Sequence, residues 1–359
     1  MSSPESSASG FKAFLKKKNV ELSFRMYAID ALGAMAHGLF ASLLIGTIMK
    51  TIGAKLDIDI LVTMGGYAAA ATGAAMAVAI GYALKSPPLV LFSLVAVGGA
   101  ANSLGGAGGP LAVLVITIGA AEIGKLISKE TKVDIIVTPF VTICAGAILA
   151  LWLAPSIGKA ASSVGQLIMW ATELRPVLMG MTVAVVIGIA LTLPISSAAI
   201  CAALGITGLA GGAALAGCCA QMVGFAVISF RENRWGGLLS QGIGTSMLQM
   251  PNIVRQPRIW IAPIVASAIT GPLATAFFQL KMNGPAVASG MGTCGLVGPI
   301  GVYTGWLSDI ASGEKNAITG LDWVALILVC FVLPAIFSLL VNHYLKKVGW
   351  VKEGDMKLS

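Results

Sequence analysis

Between Pro176 and Phe230 no residue carries a charge, and the same holds from Ser86 to Ala121. A water-exposed fold cannot be built from runs of that length, because a surface helix must turn a polar face to solvent. Apolar stretches of about 20 residues suit the hydrocarbon core of a bilayer, where a helix satisfies its own backbone groups. The rest of the chain agrees: 11% of its 359 residues are charged, against about 25% in a soluble domain, and the mean hydropathy is +0.90. The expected class is all-α, a polytopic transmembrane helix bundle. Spans fall at residues 24–50, 60–84, 87–104, 109–128, 134–154, 176–200, 208–230, 258–280, 290–307 and 321–345, about ten in all, with re-entrant or broken segments among them.

The net charge of +8 invites a nucleic-acid reading, which its placement excludes. Lys12, Lys16, Lys17, Lys18 and Arg25 precede the first span, and Lys346, Lys347 and Lys352 follow the last. Positive charge collects on cytoplasmic flanks, so both termini are expected inside, as an even number of spans requires. No basic face interleaved with aromatics supports nucleic-acid binding. Residues 1–23 form an expected cytoplasmic N-terminal segment, without the apolar core and small-residue site of a cleaved signal. Residues 24–345 form the transmembrane domain and 346–359 a cytoplasmic tail. Segment 156–174 mixes Lys, Ser and Gln with Ile, Met and Trp, and is expected to lie in the membrane interface.

Three stretches break the helical pattern inside apolar territory: Asn102–Pro110, Gly242–Pro257 with Arg231–Trp235 before it, and Asn283–Pro299. Irregular backbone at membrane depth survives only where protein buries it or it lines a watery cavity. Paired breaks of this kind point to a binding site at the bilayer midplane. The Gly290, Gly292 and Gly295 spacing follows no strand and has no acidic partner downstream, so helix packing explains it better than a dinucleotide.

Charged residues within spans are functional candidates. Asp30 and His37, seven residues apart, share one helix face and are candidates for proton or ion handling, as is Glu173 before Pro176. Glu122 and Lys125 are spaced to pair on one helix. Ser196 and Ser197 follow Pro194, where two hydroxyls suit an uncharged polyol or bond back to helix carbonyls. The six cysteines sit in apolar runs and lack Cys-x-x-Cys spacing, which suits buried hydrophobes. Two histidines are too few for a His-rich metal site. No nucleophile–base arrangement is visible, so no catalytic residue, metal or cofactor is assigned.

Gly106–Gly124 is a span of small residues, Leu193–Ala199 reads Leu-Pro-Ile-Ser-Ser-Ala-Ala, and Thr245–Pro257 reads Thr-Ser-Met-Leu-Gln-Met-Pro-Asn-Ile-Val-Arg-Gln-Pro. In order and separation these resemble enzyme IIC, the membrane subunit of the phosphoenolpyruvate-dependent sugar phosphotransferase system. The fructose type is most similar, and within the superfamily the divergent branch that includes perfringolysin O regulator-like proteins. The resemblance covers roughly residues 24–306. It implies a homodimer in a bacterial cytoplasmic membrane, working with separate IIA- and IIB-type phosphocarriers on a small sugar-like solute among membrane lipid.

The departures are chemical. Met247 stands where the family glutamate is implied to contact the phosphate-accepting hydroxyl, Ser196-Ser197 stands for Asn-Lys, and Gln256 for Asp. A thioether neither takes a proton nor accepts a hydroxyl hydrogen bond well. The expected solute contacts are Ser196, Ser197, Ser246, Gln249 and Asn252, with Asn102 and Thr293 further out. The alternatives are a membrane sensor that has lost phosphotransfer and an ion-coupled secondary transporter.

Overall fold

The computed structural model describes residues 14–15, 17–20, 23–172 and 174–358; Glu173 lies outside them. The described residues form helices, and their only strand-like pairing is one antiparallel bridge between Gly208 and Met282. In chain order the helices are α1 (Met26–Ala54), α2 (Asp59–Ala70), α3 (Thr72–Ala83), α4 (Pro88–Gly105) and α5 (Gly109–Ile127). There follow α6 (Asp134–Thr172), α7 (Pro176–Thr192), α8 (Ser197–Ala203), α9 (Gly208–Ile228) and α10 (Phe230–Leu239). The last five are α11 (Met250–Arg255), α12 (Pro257–Phe277), α13 (Ala286–Ser289), α14 (Val297–Ala311) and α15 (Gly320–Lys347). Prolines open α4, α7 and α12, where a missing N–H costs nothing. Thr319 and Asp322 close a capping box at the start of α15.

Among the described residues six helical stretches are long and apolar enough to cross a membrane, with α4 and α5 counted together as Pro88–Ile127, or seven if α2 and α3 form one broken span. The expected ten is not reached on length. The run at 176–200 stops at Thr192 as a 17-residue helix, since Pro194 ends it. The run at 290–307 becomes α-helical only from Val297, after a 3-10 turn at Cys294–Leu296. Segment 156–174 is not a separate interfacial helix but continues α6, with Pro155 inside it.

The chain divides into two compact units. The first comprises residues up to Leu43 and Ala70–Gly158. Within it α4 and α5 fold back on each other through a 3-10 turn at Gly106–Gly108, so that a Cβ on Gly124 would lie 2.9 Å from Val90. Lys125 is fully buried near the end of α5. Its Nζ pairs with Glu122 at 2.8 Å and donates to the carbonyls of Asn19 (2.8 Å) and Leu84 (3.2 Å), which neutralises and saturates the ammonium.

The second unit comprises Leu44–Ala69 and residues from Lys159 onward. Its centre is α9, buried along nearly its whole length between α7, α12 and α15. Small residues allow this: a Cβ on Gly217 would fall 1.9 Å from the Ala184 carbonyl oxygen. Leu215, Cys219, Met282, Trp306, Val329 and Cys330 build the adjoining core. Five of the six cysteines are buried and all six are free thiols.

Candidate functional site

The broken stretch at 242–257 folds as a series of short turns. A π-turn at Ser240–Gly244 ends α10 and Thr245 is extended. The Thr245 Oγ1 caps the 3-10 turn Ser246–Gln249 by accepting from the Met247 amide at 3.2 Å, and Pro251 then opens α11. Met247 itself is buried, 3% exposed.

Two uncharged polar networks meet on that segment, both within the second unit. In the first, the Ser246 and Thr192 hydroxyls lie 2.8 Å apart, and Thr192 donates to Gln221 Oε1 at 3.2 Å. The Trp260 indole N–H donates to the same oxygen at 2.8 Å, and Gln221 Nε2 donates to Ser267 Oγ at 3.3 Å. Since a threonine hydroxyl has one proton, Ser246 is the donor to Thr192 when Thr192 donates to Gln221.

The second network is a relay of amides. Asn252 Nδ2 donates to Gln249 Oε1 (2.8 Å), Gln249 Nε2 to Gln241 Oε1 (2.8 Å), and Gln241 Nε2 to Ser229 Oγ (2.9 Å) and the Gly237 carbonyl (3.0 Å). The remaining donors of the two leading amides go to the C-terminal tail. Gln249 Nε2 reaches the Met356 carbonyl at 2.9 Å, and Asn252 Nδ2 the Lys357 carbonyl at 2.9 Å. Every N–H of Gln241, Gln249 and Asn252 is therefore engaged, in a region where an orphaned donor would be costly.

The tail is fastened from its other side as well. Met356 N donates to Glu232 Oε2 (2.9 Å), Leu358 N to Asn233 Oδ1 (2.8 Å), and Asn233 Nδ2 to the Met356 carbonyl (2.8 Å). A left-handed Arg234 (φ 51°) kinks α10 next to those two side chains. Arg258 lies over the Trp350 ring at 5.3 Å. Val351 and Met356 are buried. At this end of the unit Arg231 and Lys346 line one cavity, Arg231 also meets Glu353 and Arg258 covers Trp350, whereas at the far end of α15 a cavity of about 420 Å³ has Lys281, Asp309, Glu314, Lys315 and Asp322 in its lining.

The other expected residues have assigned places. Ser196 caps α8 by accepting from Ala199 N, and Ser197 Oγ donates to the Gly290 carbonyl at 2.7 Å. Buried Thr293 donates to the Gly242 carbonyl and braces the broken segment. Asn102 belongs to the first unit, where its Oδ1 faces Gly109. Asp30 and His37 are exposed on α1. Sequence reasoning missed Thr192, Gln221, Gln241 and the tail. Gln221 was findable, as an amide alone in an otherwise apolar span.

An all-helical chain with apolar spans and an uncharged amide–hydroxyl site on a broken segment defines a multi-pass membrane protein with a buried polar site. The family described as phosphotransferase system, EIIC, matches residues 29–358, and the chain belongs to it. No curated protein and no solved structure gives a match. Membership makes the chain a membrane sugar-transport subunit and implies work with IIA and IIB phosphocarrier components.

Proposed function

We propose that this chain binds a neutral polyhydroxylated solute, a sugar or close relative, at the amides and hydroxyls gathered on Ser246–Asn252, and carries it across a bacterial cytoplasmic membrane. One observation carries the reading: Thr192, Gln221, Ser246, Gln249 and Asn252 are buried or nearly so, bear no charge, and alternate donors with acceptors. Such a set of groups, with the Gln249 and Asn252 donors freed when the tail carbonyls leave, matches vicinal hydroxyls and supplies no carboxylate to balance a cation. The basic cluster beside the tail supports a cytoplasmic assignment for that end and for both termini. Homodimerisation and the division at residues 23/24 and 345/346 follow from the family resemblance and the charge pattern.

The position of the family glutamate holds buried Met247. Phosphoryl transfer depends on positioned charge, so in this chain the charge at the acceptor hydroxyl must come from the phosphocarrier. A second reading, a membrane sensor that binds solute without transferring phosphate, is favoured by Met247 and by the tail carbonyls on Gln249 and Asn252.

The test uses the full chain in liposomes with a panel of labelled sugars. Accumulation of phosphorylated sugar only when IIA- and IIB-type phosphocarriers and phosphoenolpyruvate are present supports the carrier. Binding without flux supports the sensor. Uptake driven by a proton or sodium gradient alone overturns both and leaves a secondary transporter.

A further inference from the structure

A cavity of about 530 Å³ opens where α9 ends, along α10 and beside the last turns of α15, separate from the amide network. Three side chains able to carry positive charge line it: Arg231, His343 and Lys346. Its walls are apolar, from Phe230, Leu238 and Leu339, and the last is 47% exposed. Cations above an apolar wall at the end of two membrane-spanning helices match an amphiphile with an anionic head. The aromatic side chains at this level, Trp235 (69% exposed) and Tyr344 (65%), are those that sit at headgroup depth.

A second observation points to a ligand. Asn342 lines the same cavity, is only 5% exposed, and its Oδ1 is buried without a hydrogen-bond partner among the described residues. Buried carbonyl oxygens are rarely left so, and each calls for a donor. The cations also have capacity to spare. Arg231 meets Glu353 at 3.6 Å, but both side chains are largely exposed, so the pair is weak. Among the described residues Lys346 makes no ion pair.

We propose that this cavity binds an anionic glycerophospholipid with a hydroxyl-bearing headgroup. The phosphate sits between Arg231 and Lys346 within reach of the His343 imidazole, the Asn342 side chain turns its enclosed Oδ1 toward the cavity to accept from a headgroup hydroxyl, and an acyl chain runs along Phe230, Leu238 and Leu339. Phosphatidylcholine supplies neither the net charge nor the hydroxyl donor, and a free phosphate supplies no chain for the wall.

The full chain, purified in neutral detergent, is titrated with phosphatidylglycerol or phosphatidylcholine, and bound lipid is counted by native mass spectrometry. Phosphatidylglycerol is expected to bind at least about tenfold more tightly. Arg231→Ala with Lys346→Ala, both at accessible positions, removes that preference. Lys347→Ala with Lys352→Ala, cations outside the cavity, keeps it. Equal binding of the two lipids overturns the proposal, and so does equal loss in both double variants, which would mean diffuse attraction. Displacement of the lipid by inorganic phosphate alone would identify a free-phosphate site and overturn the lipid assignment.

Discussion

The side-chain amide of Asn252 donates to the backbone carbonyl of Lys357, 105 residues further along the chain, at 2.9 Å. Gln249 does the same to Met356. A peptide carbonyl is a fair stand-in for a sugar hydroxyl oxygen, so tail and solute compete for the same N–H groups. A chain ending at Gly349 should therefore bind its solute about tenfold more tightly, as removal of a competing closed state predicts, while its Tm falls by several degrees. Isothermal titration on the two chains checks this. Glu232→Gln with Asn233→Ala, which loosens the tail without deleting it, should shift affinity in the same direction. Unchanged affinity in both would place the solute elsewhere.

Gln249 and Gln256 allow a comparison within one segment. Gln249 is fully buried and serves three hydrogen bonds, whereas Gln256 makes a single contact of 3.4 Å to the Trp350 carbonyl. Gln249→Leu leaves Gln241 Oε1 and one Asn252 N–H without partners and should cost about 2–4 kcal/mol. Gln256→Leu should stay within about 0.5 kcal/mol. Unfolding in detergent followed by tryptophan fluorescence separates the two; equal costs would mean that the amide relay contributes no more than a surface contact.

Much of this was legible in the sequence, and the part that was not has a physical cause. The apolar runs specified an all-helical membrane chain, the i,i+3 spacing specified the Glu122–Lys125 pair, and the polar residues after Gly242 marked the broken segment. Those are local signals, written within one or two turns. The docking of Met356 and Lys357 onto Gln249 and Asn252 uses backbone carbonyls, which every residue has, so no side-chain pattern announces it. Ser197 illustrates the same limit. A hydroxyl after a proline suits a solute, but here it donates to the Gly290 carbonyl, 93 residues away.

Close helix approach in the second unit makes a sharp prediction at glycine. A Cβ on Gly217 would collide with the Ala184 backbone at 1.9 Å, and backbone cannot swing aside as a side chain can. On helix α2, a Cβ on Gly66 would meet nothing within 4 Å. Gly217→Ala should abolish stable folding or cost upwards of about 3 kcal/mol. Gly66→Ala should be neutral or stabilise by up to about 1 kcal/mol through helix propensity. Size-exclusion profiles and melting curves of the two variants in one detergent give the comparison. A well-folded Gly217→Ala protein would refute the α7–α9 contact.

Lys125 tests whether a buried charge in the first unit acts alone or as half of a pair. Its ammonium is enclosed by Glu122, at 2.8 Å, and by the carbonyls of Asn19 and Leu84. Lys125→Met removes the cation and leaves a carboxylate only 14% exposed without its partner, a change that should cost about 3–5 kcal/mol. Glu122→Gln with Lys125→Met removes both charges together and should recover most of that loss, because a buried ion pair replaced by neutral groups is often close to neutral. Two explanations therefore predict different outcomes for the double variant. If Lys125 matters only by filling space, the double variant is as unstable as the single one. If it matters by neutralising Glu122, the double variant melts near the parent protein, and circular dichroism melts in detergent distinguish the cases.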